Sequence, residues 1–193
     1  MSGRRARAIL VAMAVATCGP RIALAQDAVI AAPAPGPRAQ VPGPNGWRLD
    51  NVPPGEPSRA LGDIGGSIVA RYVKNYGAGR PPLPFVPTFT IQIHPGRDAR
   101  SPMELLAFYT HDIRPDEFAI EPQEEEYGSM LWAVCVLKTS TTSFGIATPL
   151  RRKIYVTEAN GVIAIVEGVS TLSEYPADVK RFDEAVSDAT FAK

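Results

Sequence analysis

Cysteine and histidine are nearly missing from this chain, with two of each in 193 residues. The cysteines are Cys18 and Cys135, and an exported chain that loses its leader keeps only Cys135, which excludes an intramolecular disulfide. The histidines are His94, at the end of a strand-like run, and His111, at the end of a helix-like run spanning about 15 Å. Two ligands of one zinc ion must each lie about 2 Å from it, so the pair is a poor metal site, and no metal is expected. His111 reads more simply as a favourable charge at a helix C-terminus. There is no Gly-x-Ser-x-Gly elbow, no phosphate-cradling glycine loop with its lysine, no His-Glu-x-x-His and no cysteine pair. Gly62-Asp-Ile-Gly-Gly66 has no strand before it and no helix after it, so it is not a nucleotide loop. No catalytic residue and no cofactor are assigned on this reading.

Long apolar runs are also lacking. The longest near the N-terminus, Ala8 to Thr17, is too short to span a bilayer and follows Arg4, Arg5 and Arg7. With Ala23-Leu24-Ala25 ahead of Gln26, residues 1–25 read as a secretory signal cleaved after Ala25. The alternative, lipidation at Cys18, is disfavoured by Thr17 just before it. Cleavage removes four arginines and no acid, so 20 bases against 20 acids become 16 against 20. An acidic chain without a basic cluster excludes nucleic acid as a partner. The expected location is the periplasm or the exterior, with no transmembrane segment in the mature chain.

Residues 26–45 are rich in Ala, Pro and Gly, and read as a disordered tether. Residues 46–193 form one domain by length. Its clearest element is Met130-Leu-Trp-Ala-Val-Cys-Val-Leu137, eight apolar residues whose alternate side chains give a strand two apolar faces. Such a strand must be covered on both sides. Cys135 is therefore expected buried and inert, and Trp132 in the core. Further strands are expected at Ser67–Lys74, at Thr88–His94 with Phe89, Ile91 and Ile93 inward, at Arg151–Glu158 with Ile154 and Val156 inward, and at Val162–Val169. Asn160-Gly161 is a two-residue hairpin signal. Ser101-Pro-Met-Glu104 is a capping box that starts a helix running to about Asp112. Val179, Phe182, Val186 and Ala189 predict a second helix, with Asp178, Lys180, Asp183 and Glu184 facing out. Gln123 to Gly128 reads as a solvated turn.

The capped helix at Ser101, the meander through Met130 to Val169, the Tyr-Val…Asn-Gly…Val-Ile hairpin and the terminal helix resemble the PsbP-like and DcrB-like families over about residues 66–193. The resemblance implies an α+β fold, a largely antiparallel sheet covered by helices in an α/β/α sandwich. It also implies an exported, non-catalytic binding or assembly-accessory protein of the bacterial cell envelope. The alternative is a small periplasmic hydrolase or isomerase using carboxylates that the sequence does not identify. The partner expected is a protein or a small apolar ligand in the envelope.

The residues themselves point to one contact surface, the connection from Arg80 to Pro87. Its prolines restrict a backbone that carries Leu83, Phe85 and Val86, so less entropy is lost when a partner orders it. Phe85 is the expected anchor, with Leu83 and Val86 beside it and Arg80 at the rim. The competing expectation is that Phe85 folds back over an edge of the sheet.

Overall fold

The computed structural model describes residues 38–53, 56, 57, 61, 65–78, 83–96 and 100–192. The expected signal segment, Cys18 and the tether as far as Pro37 lie outside them. In chain order the elements are β1 (Arg38–Gln40), β2 (Trp47–Leu49), β3 (Ser67–Lys74), β4 (Thr88–Pro95), α1 (Pro102–Tyr109), a 3-10 turn (Pro115–Glu117), β5 (Phe118–Tyr127), β6 (Met130–Ser143), β7 (Ile146–Ala159), β8 (Val162–Thr171), α2 (Tyr175–Ser187) and β9 (Thr190–Ala192). Seven strands form one antiparallel sheet in the order β2-β3-β4-β8-β7-β6-β5, and β1 pairs with β9 in a separate two-stranded ribbon. Strands β5 to β8 are a meander, and the long return after β4 seats β8 between β4 and β7. The middle of the sheet is therefore β8. The Met130–Leu137 strand lies one position in from the β5 edge.

Local chemistry places each element as its residues demand. Ser101 Oγ accepts from the Glu104 amide, and the Glu104 carboxylate accepts from the Ser101 amide at 2.8 Å, closing the capping box of α1. Asn160 and Gly161 take positive φ of 53° and 78° in the tight turn between β7 and β8. On β6, Trp132 and Val134 belong to a cluster with Phe89, Ile91, Tyr155, Val166 and the α2 residues Phe182, Ala185 and Val186. Ala133, Cys135 and Leu137 belong to a second cluster with Ile154, Ile163, Ile165 and the α1 residues Leu105, Leu106 and Tyr109. Alternate residues of a strand point to opposite faces, so each helix packs on its own side of the sheet. Gly168 is required where it stands, because a Cβ there would strike the ring of Phe182.

Several expectations need correcting. β4 and β7 are buried on both faces rather than one: Gln92, His94, Lys153, Tyr155 and Thr157 are all buried. Period-two alternation identified the strands but not their second face, because polar residues there are buried with partners. Leu131, expected inside, is 44% exposed, on the α1 side of β6 outside the cluster that begins at Ala133. The glutamate run is edge strand β5, in which a solvated turn was expected, with Glu124, Glu125 and Glu126 paired to Ala133, Trp132 and Leu131. Charge on an edge strand blocks pairing with other chains. The tether boundary near residue 45 falls inside ordered chain, because Arg38–Gln40 pair with Thr190–Ala192 and Val41 is buried.

Asp178 was expected outside, yet it is fully buried. Lys74 Nζ lies 2.7 Å from its Oδ1, and Ser170 Oγ donates to its Oδ2 at 2.6 Å. One helical turn plus one residue later, Asp183 Oδ1 accepts from Lys153 Nζ at 2.9 Å and from the Tyr155 hydroxyl at 2.7 Å. Two sheet lysines therefore fasten α2 through two aspartates. A stripe of apolar residues reads such aspartates as outward because hydrophobicity alone ignores a waiting cation.

Burial pushes the Cys135 thiol up to about 12 and overrides the lowering charge of Arg152. The native protein should therefore leave Cys135 unlabelled by a bulky thiol reagent at pH 8 and label fully in denaturant. Trp132→Ala should lower unfolding stability by about 3–5 kcal/mol in a urea titration, as large aromatic truncations do in cores.

Candidate functional site

Of the surface expected between β3 and β4, Arg80 lies outside the described residues. Leu83 and Phe85 are half-buried, Val86 is 38% exposed and Pro87 is buried. The Pro87 carbonyl accepts from the Lys74 amide at 3.0 Å, which ties the end of the connection to the end of β3. The segment thus offers partial apolar surface.

A more exposed feature lies elsewhere. β6 and β7 are 14 residues each and stay paired from Ala133↔Val156 out to Ser143↔Ile146. Their neighbours end earlier, with β5 last meeting β6 at Phe118↔Leu137 and β8 last meeting β7 at Leu150↔Thr171. Among the described residues β6 has no outer neighbour from Lys138 onward, β7 keeps β8 as far as Leu150 and accepts from the Leu172 amide at Pro149, and from Thr141↔Thr148 to the tip the hairpin is a free two-stranded arm. Between Thr139 and Leu150 it carries no charge, and its β6 strand is almost all hydroxyl: Thr139, Ser140, Thr141, Thr142, Ser143. At its tip stand Phe144, 94% exposed, and Ile146, 62% exposed.

The turn at that tip is built like the turn at Asn160-Gly161. Phe144 and Gly145 have φ of 51° and 77°, against 53° and 78° for the other pair. Asparagine tolerates this left-handed geometry, whereas an ordinary side chain costs about 1–2 kcal/mol there. Phe144 therefore occupies a strained position and recovers almost nothing from packing within its own chain. The sequence carried a signal, Phe-Gly between two runs of β-formers, but the expected Asn or Asp before the glycine was missing and the stretch read as an irregular connection.

Two polar clusters complete the surface. At the foot of the arm a 460 Å³ cleft is lined by Arg114, Glu117, Lys138, Thr139, Ser140 and Arg152, among others. Two of its cations are already paired: Arg152 holds Glu167, and Arg114 lies 3.0 Å from Glu117. Glu167 also accepts from the Tyr109 hydroxyl, which burial first and the Glu167 charge second push well above the usual phenol range. On the α2 face an 840 Å³ cleft is lined by Tyr127, Asp183, Lys180, Arg181 and neighbouring residues. Behind it Glu125 and Asp183 converge on Lys153, at 3.8 Å and 2.9 Å. These are the carboxylates best placed for an acid–base enzyme, but both face the same cation. Burial would raise Glu125, yet hydrogen bonds from Tyr127 and Gln123 and the charge of Lys153 outweigh it and hold the group below the ordinary range. A carboxylate kept ionised in this way cannot serve as a general acid near neutrality. Among the described residues no group of three or more His, Cys, Asp or Glu is placed to hold a metal ion.

The fold is thus an α+β protein on one large antiparallel sheet with two helices, and no helix among the described residues is long and apolar enough to cross a membrane. No protein-family model and no curated protein matches the chain. Among solved structures, it is similar to LpqN, described as involved in cell envelope biogenesis of Mycobacterium tuberculosis, at 17% identity and a TM-score of 0.49, covering 87% of this chain and 91% of that one. It is also similar to a protein from Bacteroides thetaiotaomicron at 10% identity and a TM-score of 0.50, covering 80% of this chain. The match spans only 45% of that protein, and it is a likeness of fold alone.

Phe144→Asn keeps the turn geometry and relieves its strain, so it should raise stability by about 0.5–1 kcal/mol, roughly half the left-handed penalty. Urea titration at constant slope checks this, and a loss of stability would mean that Phe144 packs against its own chain.

Proposed function

We propose that this is an exported, non-catalytic binding or assembly-accessory protein of the bacterial cell envelope, an α/β/α sandwich of the PsbP-like kind that meets its partner through the β6–β7 arm. The observation that carries the reading is Phe144, held at positive φ and 94% exposed. Export rests on the arginine-led apolar start and on Ala23-Leu24-Ala25, which set the mature N-terminus at Gln26. Arg80, Leu83, Phe85 and Val86 form a secondary contact on the β3–β4 connection.

A photo-cross-linking amino acid placed at position 144 or 85 of the exported protein tests both surfaces in the cell. Adducts from position 144 are expected, on a chain whose intact mass begins at Gln26. Adducts from 85 alone would move the contact to the β3–β4 connection. Silence at both positions would sink the binding reading.

A further inference from the structure

We propose that the β6–β7 arm docks on an anionic lipid surface, with Phe144 and Ile146 entering the acyl boundary and the Lys138–Arg151 rung meeting lipid phosphates. This rests on the binding-protein reading above and names its partner. Two features of the arm are locally unfavourable, and one occupant satisfies both. At the tip, an aromatic side chain sits in left-handed backbone with almost no intramolecular contact. At the foot, Lys138 and Arg151 are directly opposite each other in the antiparallel register. Side chains so paired share a face, and like charges there repel. Among the described residues Lys138 Nζ hydrogen-bonds a backbone carbonyl, that of Asp116, at 3.0 Å, and Arg151 the carbonyl of Leu150, at 3.4 Å. The nearby acids Asp116 and Glu117 are both within ion-pair distance of Arg114.

Charge along the chain points the same way. From Tyr127 to Thr157 there is no acid, and of the four cations there Arg152 and Lys153 are held by Glu167 and Asp183, which leaves Lys138 and Arg151. Among the described residues Lys138 and Arg151 stand outside ion pairs, so the foot of the arm is basic on a chain that is acidic once its leader is removed. Six residues at about 3.3 Å each put Phe144 about 20 Å beyond the rung. An arm inclined by about 30° to the surface separates the two by about 10 Å in depth, matching insertion of about 5–10 Å for interfacial apolar groups. The rung then lies within about one Debye length, ~8 Å, of the phosphates. Among the described residues the outer backbone groups of β6 from Lys138 to Ser143 and of β7 from Ile146 to Thr148 have no strand partners, and these face a hydrated headgroup layer that can bond them.

Co-sedimentation of the exported protein with phosphatidylethanolamine vesicles containing a quarter phosphatidylglycerol, against pure phosphatidylcholine vesicles, tests this. The wild type should bind the anionic vesicles, release at about 0.5 M salt as screening predicts, and bind phosphatidylcholine at least tenfold more weakly. Phe144→Asn, which is expected to fold at least as well, should weaken binding about tenfold. Lys138→Gln with Arg151→Gln should erase the preference for the anionic lipid. Absence of wild-type binding to either vesicle, or Phe144→Asn binding like wild type, would overturn the lipid proposal. If vesicles are ignored while position 144 still cross-links to an envelope protein, the lipid surface is wrong and the arm is a protein contact. If vesicle binding and cross-linking are both absent, the binding reading fails as well.

Discussion

The structure depends on covering both faces of one sheet, and the demanding half of that task is fastening α2. A helix with two aspartates toward a sheet would ordinarily face water. Here Asp178 meets Lys74 and Asp183 meets Lys153, with Ser170 and Tyr155 completing the hydrogen bonds. Removing one partner of such a pair leaves a charge stranded in a low-dielectric interface, which costs far more than the pair itself contributes. The latches therefore fix where α2 sits more than they add to stability. Phe182 then stacks on Phe89 at 5.5 Å and meets Trp47 edge-on at 5.4 Å, in space that Gly168 leaves open.

Because the two helices set how far the covered sheet extends, they also set where the β6–β7 hairpin outgrows it. Within the covered region the local signals agree with the fold: Asn-Gly in the tight turn, Ser-Pro-Met-Glu at the helix start, a run apolar on both faces along β8. Beyond the Leu137↔Arg152 pair the agreement stops. Phenylalanine replaces asparagine in the same turn, and two cations face each other across a rung. Conflicts of this kind in an otherwise consistent sequence mark positions shaped by something outside the chain. The edge strand β5, beside the covered half of β6, carries Glu121, Glu124, Glu125 and Glu126, so the protein does defend an edge where pairing would be harmful.

Much of the fold was legible from residues alone. Ser67–Lys74 is a strand with the expected ends, the Ser101 box caps α1, and Trp132 and Cys135 are buried as two apolar faces require. What stayed hidden was polar burial. Lys153, Gln92 and Asp178 look like surface residues until partners from distant strands are known, and alternation cannot report those partners. The arm was hidden for the opposite reason, since its turn lacks the residue that turn geometry prefers. The expected surface at Leu83, Phe85 and Val86 was chosen because proline restricts it, a criterion that says nothing about how far a segment stands out from its sheet.

Hydrogen–deuterium exchange of the protein, alone and with anionic lipid membranes, tests the central claim that the arm is the contact element. Alone, the amides of residues 139–149 on the unpaired outer edges should exchange fast while those of β8 stay protected. With membranes, protection should appear in 139–149 and leave the amides of Leu83, Phe85 and Val86 unchanged. An arm already protected in the isolated protein, or new protection confined to residues 83–86, would contradict the account.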